Sequence, residues 1–280
     1  MNLLRVPYPA EAYRPAWFEP TARSNFCEED YVVIPYIAEF VNTITNISYV
    51  IYAYKGIRRL RGKPDAVLLS LPYVGLAAVG VLSAAFHATI TYSGQMADDL
   101  SMIIATGFVL HRAYSAGRSA AWTRNFGVAL IVSFVVFAAY HCWTDELLVH
   151  FLTFLFTTLA IWRKTRILVR ERKERRGDAA RLWRLRILVR VGALSAIVGY
   201  ALWNVDMHLC GYLIGIRRVV GQPWGYLLEL HAWWHVLTAI GAYVFMAVVE
   251  FLTTEEEEEG RAFAWPVEPY LGKTHDEKRD

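Results

Sequence analysis

The sequence predicts an all-α, polytopic membrane protein: a seven-transmembrane helix bundle with a lumenal N-terminus and a cytosolic C-terminus. Three observations carry this expectation. The 280 residues are 55% hydrophobic and 14% aromatic, with a mean hydropathy of +0.27, more apolar than an ordinary soluble domain of this length. Seven windows of the chain approach the roughly 20 apolar residues needed to cross a hydrocarbon core about 30 Å thick. Lysine and arginine collect between alternate windows, so the net charge of +3 conceals a strong segregation.

The windows lie near residues 31–55, 67–90, 96–114, 125–142, 144–162, 187–205 and 227–252. The fourth and fifth are too long together for one crossing, and Thr144, Asp145 and Glu146 supply a turn with an N-cap between them. Residues 1–30 are read as a lumenal segment, 31–252 as the membrane domain and 253–280 as a cytosolic tail containing the acidic run Glu255 to Glu259. Met1 to Pro7 lacks the apolar run of a cleavable signal peptide, which leaves targeting to the first helix. One face collects Lys55, Arg58, Arg59, Arg61 and Lys63, then Arg112, Arg118 and Arg124, then the basic block Arg163 to Arg190. The other face is poor in cations apart from Arg217 and Arg218, and this asymmetry sets the orientation. The basic block interleaves its charges with Ile, Leu and Val, which suits anionic lipid headgroups. Nothing in the pattern points to nucleic acid or to an obligate protein partner.

An ionisable group inside a bilayer costs several kcal/mol unless paired or hydrated, about 2.5–3.5 on insertion scales, so each one within a span is a candidate functional residue. His231 and His235 stand four apart at the start of the last window, on one helical face, at a spacing that lets two imidazoles share a metal. Ser83 and His87 form a second such pair near the end of the second window, and the third begins with Asp98 and Asp99. The orientation gathers these ends near the lumenal face. Three histidines with an open fourth position make a catalytic zinc site, with Asp98 or Asp99 to accept a proton from water and Ser83 to donate to an oxyanion. Asp206 either orients a histidine or caps a helix. His141, His150 and His208 lie toward the same face without a partner at ligand spacing, and His111 falls on the cytosolic side.

Only three cysteines are present, which excludes a disulfide-dense scaffold and a four-thiolate zinc site. Cys27 and Cys210 fall on the oxidising side, where they either bridge or stay as free thiols. The acidic stretch Glu28, Glu29, Asp30 before the first helix reads, on physics alone, as a solvated cap at a helix N-terminus, with an oxygen site for Ca²⁺ as the alternative.

These elements in this order resemble the alkaline ceramidases, within a wider group of seven-helix zinc hydrolases that includes the adiponectin receptors. The resemblance is carried by Cys27, Glu28 and Tyr31; Tyr36 to Phe40 with Asn42 and Thr43; Ser83 with Phe86 and His87; Gln95 to Leu100; Trp203, Asn204 and Asp206; and His231 to His235. It implies hydrolysis of the ceramide amide bond in the endoplasmic reticulum or Golgi membrane, with the active site toward the lumen. It further implies zinc on His87, His231 and His235, Asp98 as the water-positioning carboxylate, Ser83 as the motif serine, and a Cys27–Cys210 disulfide. A calcium ion is implied on Asn25, Phe26 (through its main-chain carbonyl), Glu28, Asp30 and Glu39. This chain has Asn25 and Phe26 where the family commonly has Asp-Trp, and Asp30 where it commonly has Asn, an exchange that preserves oxygen donors and formal charge. Two other readings compete: a receptor-like seven-helix protein with a structural zinc site, and a transporter, which would spread its polar groups through the membrane depth instead of gathering them at one face.

Overall fold

The computed structural model describes residues 6–63, 65–176, 179–254 and 263–271; the acidic run Glu255 to Glu259 lies outside them. The described chain is helical, in the order α1 (Phe40–Thr45), α2 (Ile47–Leu60), α3 (Ala66–Thr89), α4 (Tyr92–Ser115), α5 (Ala120–Thr144), α6 (Leu147–Arg176), α7 (Ala179–His208), α8 (Cys210–Val220), α9 (Leu230–Thr253) and α10 (Glu268–Leu271), with a 3-10 turn at Trp224–Leu228. Five helices are long and apolar enough to cross a membrane: α3, α5, Leu147–Glu171 of α6, Trp183–His208 of α7, and α9. α9 is the central post, packed against α7, α2 and α1, while α3 packs against α2 and α4, and α4 against α5 and α6.

α5 shows what solvates this fold. It buries only His141 and turns Val128, Ile131, Val132, Val135 and Val136 outward. A helix that is apolar all round and exposed along its length is matched to lipid, not to water.

The first expected helix differs most. Residues 31–39 are not helical: Tyr31 takes a left-handed backbone, and Ala38 and Glu39 donate their amides to the carbonyls of Ala88 and His87 at the end of α3. Helix begins only at Phe40 and its ladder is interrupted at Asn46. The cause is local, because the Asn42 carbonyl accepts from the Asn46 side chain at 2.9 Å and from His235 Nδ1 at 3.1 Å. The expected turn between α5 and α6 forms as read: Asp145 closes α5 with a left-handed backbone, and the Glu146 carboxylate accepts from the amides of Leu148 and Val149. The basic block is not a loop. α6 runs on to Arg176 and α7 starts at Ala179, with Leu168, Val169, Leu185 and Leu188 buried.

Much of the stretch 206–226, left between the sixth and seventh expected windows, is also helical. The part of the expected tail at 263–271 is docked: Phe263, Val267 and Leu271 are buried, Ala264 N donates to Tyr243 Oη, and the Phe263 ring covers the Arg59 guanidinium, itself paired with Glu250. That plug sits away from His231: its partners on α9, Tyr243 and Glu250, lie about 18 and 28 Å further along the helix at 1.5 Å per residue.

α2 and α3 approach closely at Gly80, where an added Cβ would fall 2.9 Å from both the Asn46 carbonyl oxygen and Tyr49 Cβ. Backbone cannot yield as a side-chain tip can. Gly80→Val is expected to lower stability by about 1–3 kcal/mol by forcing the two helices apart. Thermal unfolding in detergent, followed by intrinsic fluorescence, measures this, and an unshifted transition contradicts the packing described.

Candidate metal centre

Two helix ends meet at one end of the bundle. α3 ends two residues after His87 and α9 starts one residue before His231, while α1 and α2 run alongside. His87, His231 and His235 are 1%, 4% and 3% exposed, and one potential ligand atom from each lies within 4.8 Å of the others. No other group of three such residues is this close among the described residues.

Two of the three rings have their proton position set by neighbours. His87 Nδ1 lies 2.5 Å from Oε2 of Glu39, a carboxylate that also accepts from Phe26 N and Asn42 Nδ2. His235 Nδ1 lies 3.1 Å from the Asn42 carbonyl, which can only accept, and 3.1 Å from Thr45 Oγ1. Each Nδ1 therefore carries the hydrogen and leaves the Nε2 lone pair free for a metal, the arrangement that outer hydrogen bonds impose in zinc sites. His231 differs. Its Nδ1 is buried with no hydrogen-bond partner among the described residues, while its ring stacks on Phe26 at 3.7 Å and 28°. An orphaned imidazole nitrogen beside two oriented Nε2 atoms fits a divalent metal with nitrogen preference, such as Zn²⁺.

The two adjacent aspartates separate by partner. Asp99 Oδ2 accepts from His141 Nε2 at 3.0 Å and the Asp99 carbonyl pairs with His150 Nε2 at 3.0 Å, so the two histidines without a partner at ligand spacing both turn to Asp99. Asp98 turns the other way and takes a hydrogen bond from Ser83, one turn below His87 on α3. It lies outside the group of three histidines. The Ser83 hydroxyl thus faces a carboxylate here, a contact the sequence reading did not foresee.

The proposed oxygen donors share a neighbourhood but are individually engaged. Glu28 accepts from Val41 N at 2.6 Å and Asn42 N at 2.8 Å, so it caps the N-terminus of α1. Asn25 Nδ2 donates to Asp30 Oδ2 at 3.0 Å, and Asn25 Oδ1 accepts from Phe26 N at 2.8 Å. Burial, with Glu39 nearby, pushes the Glu28 carboxyl up to about 8 and that of Asp30 up to about 6. Asp30 Oδ1 is buried without a partner among the described residues, an acceptor that a hard cation would satisfy.

Around both sets runs a clasp. Cys27 and Cys210 are disulfide-bonded, with Cα atoms 5.2 Å apart across 183 residues of sequence. Asp206 neither orients a ring nor caps its own helix: its carboxylate accepts from Cys27 N at 3.1 Å and from His231 N at 3.3 Å, joining α7, the N-terminal segment and the start of α9. Gln95 accepts from the amides of Arg23 and Ser24 and donates to Asp145. The residues that sequence reasoning missed, Thr45 and Asn46 beside Glu39 and Asn42, form a polar stripe at spacings of three and four, and that stripe was the available signal.

Asp206→Ala strips two buried amides of their acceptor. The expected cost is about 2–3 kcal/mol of stability, with metal content falling in parallel, and Asp206→Asn should retain part of both. Thermal unfolding and elemental analysis of the purified variants check this; unchanged values in Asp206→Ala would contradict the capping role.

The chain is 27% identical over 270 residues to the alkaline ceramidase YPC1 of Saccharomyces cerevisiae, covering 90% of this chain and 83% of that protein. It is 26% identical over 243 residues to alkaline ceramidase 3 of Mus musculus, covering 84% and 85%. An alkaline ceramidase of Caenorhabditis elegans is 26% identical over 267 residues, covering 92% and 91%. The family model described as Ceramidase matches residues 18–272, and the chain belongs to the ceramidase family.

Proposed function

We propose that this ceramidase is a zinc-dependent amidohydrolase that splits ceramide into a sphingoid base and a free fatty acid, with the metal held by His87, His231 and His235. The observation that supports it best is the set of three buried imidazoles, two with Nδ1 committed to acceptors and the third with an orphaned nitrogen. Zinc bound there supplies Lewis acidity, lowering the pKa of a water to about 7 and polarising the amide carbonyl. Asp98 takes the proton from the attacking water and passes it to the departing amine. Ser83 has one hydroxyl proton. Before reaction that proton holds Asp98; once Asp98 is protonated, the hydroxyl turns to the oxyanion forming on the carbonyl.

The reading extends to topology. α1 with α2, and α4, complete seven crossings with the five apolar helices, their polar residues turned inward, as Gln95, Ser101, Asn42 and Asn46 are. The cation-rich ends of α2 and α4 and the basic ends of α6 and α7 then lie in the cytosol, and the metal centre faces the lumen of the endoplasmic reticulum or Golgi. The Cys27–Cys210 disulfide at the metal-centre end supports this side as the oxidising one. Ca²⁺ belongs to Asn25, the Phe26 carbonyl, Glu28, Asp30 and Glu39, where it neutralises carboxylates that burial otherwise disfavours as charged. Glu39 would link the two sites, since the carboxylate that would hold calcium also pairs with His87 Nδ1.

Lipid mass spectrometry of the purified protein with a panel of ceramides tests the reaction. Release of fatty acid and sphingoid base is expected, lost on metal chelation and reduced by about 10²–10⁴-fold in Asp98→Ala. Full turnover in Asp98→Ala or His231→Ala contradicts the mechanism, and tightly bound zinc without turnover of any ceramide makes the site structural. For calcium, chelator-stripped protein is expected to gain about 2.7 kcal/mol at 100-fold excess over the dissociation constant. Asp30→Ala should abolish that gain; an equal gain in wild type and variant removes the assignment.

A further inference from the structure

α8 is too short to cross a membrane, at 11 residues against the roughly 20 required, yet it begins two residues after the membrane-length helix α7 ends and lies ten residues before α9 begins. Chain connectivity therefore confines it to the boundary between membrane and water at the metal-centre end. Its two long sides differ. Leu213 and Arg217, four apart, face inward and are buried. There the Arg217 guanidinium pairs with Glu229, just before α9, and donates to the Cys27 carbonyl at 2.5 Å. Tyr212, Ile216 and Val219, at i, i+4 and i+7, face outward at 78%, 49% and 69% exposure.

Between these outward side chains lies an apolar groove floored by Gly211 and Gly215. An added Cβ at either glycine would meet nothing within 4 Å, so neither glycine serves internal packing. The next exposed position, Arg218, is polar and already neutralised by Glu29 of the N-terminal segment. Trp224 and Leu227 on the following turn, and Trp17 and Phe18 at the same end, are also exposed. Aromatic side chains concentrate at membrane interfaces because one end of the ring prefers hydrocarbon and the other water.

The geometry points to α8 as an in-plane interfacial helix whose Tyr212–Ile216–Val219 face and glycine groove take the upper acyl chains of bilayer phospholipid. The ligand is lipid hydrocarbon beneath the headgroups. Its place two residues after α7, whose Leu194, Ile197 and Val198 are exposed along an apolar, membrane-length helix, favours lipid over a second copy of the chain, and a water-facing role would leave three large apolar side chains exposed on three helical turns. Because the buried side of the same helix carries Cys210 and Arg217, the contact fixes the height of the segment bearing Phe26 over the metal centre. This inference is independent of the hydrolytic reading.

Two experiments on the full chain in phosphatidylcholine vesicles test it. In a Cys142→Ser background, nitroxide labels at Tyr212→Cys, Ile216→Cys and Val219→Cys are expected to show several-fold higher ratios of oxygen to water-soluble nickel accessibility than a label at Arg218→Cys. Equal ratios at all four positions mean the face meets water and overturn the proposal. Shielding of the three positions from both agents, with broadening that grows with protein concentration, assigns the face to a second copy and also overturns it. The unmodified protein with phosphatidylcholine carrying a photoactivatable acyl chain supplies the second readout: adducts are expected on the peptide spanning Tyr212 to Val219. Adducts on α5 with none on that peptide would refute the assignment.

Discussion

The position of two imidazole protons constrains the rest of the metal-centre end. For His87 and His235 to offer Nε2 to a metal, each Nδ1 must find a permanent acceptor inside the bundle. Glu39 and the Asn42 carbonyl provide those acceptors, and both come from the short stretch where helix is only starting and then breaks. A continuous helix across residues 31–55 would keep the Asn42 carbonyl in its own ladder. The interruption at Asn46 frees it for His235, and the close approach of Gly80 lets α2 sit near enough to α3 for the two histidine-bearing helices to share that stretch.

The same economy governs the segment before α1. A buried carboxylate is tolerated only when its oxygens are occupied, and here one residue often serves two ends. Glu28 caps α1 with both oxygens, Asp206 ties Cys27 to the backbone of His231, and Arg217 ties the Cys27 carbonyl to Glu229. With the disulfide, these contacts press Phe26 onto His231. The segment is short of regular structure yet tied down, because its polar atoms are answered from α1, α3, α4, α7 and α8.

Much of this was legible in the sequence. The i, i+4 histidines and the Ser83–His87 pair announce themselves through helical period, and the apolar windows mark α3, α5 and α9 closely. Adjacent Asp98 and Asp99 could not be separated by period alone, since what distinguishes them is the partner each meets, Ser83 on one side and His141 on the other. Residues 31–39 read as helix because they are apolar, whereas their backbone is drawn onto the end of α3 by tertiary hydrogen bonds that no local pattern carries. α8 was hidden for a related reason: it is too short for a span, and two glycines dilute its apolar stripe.

The central claim is that three imidazole nitrogens, and no thiolate, hold the metal. X-ray absorption at the zinc edge of the purified protein tests it most directly. The account predicts about three nitrogen donors at roughly 2.0–2.1 Å and a further oxygen, with the nitrogen count falling when His231 is replaced. A sulfur shell near about 2.3 Å, or a first shell of oxygens alone, would contradict it.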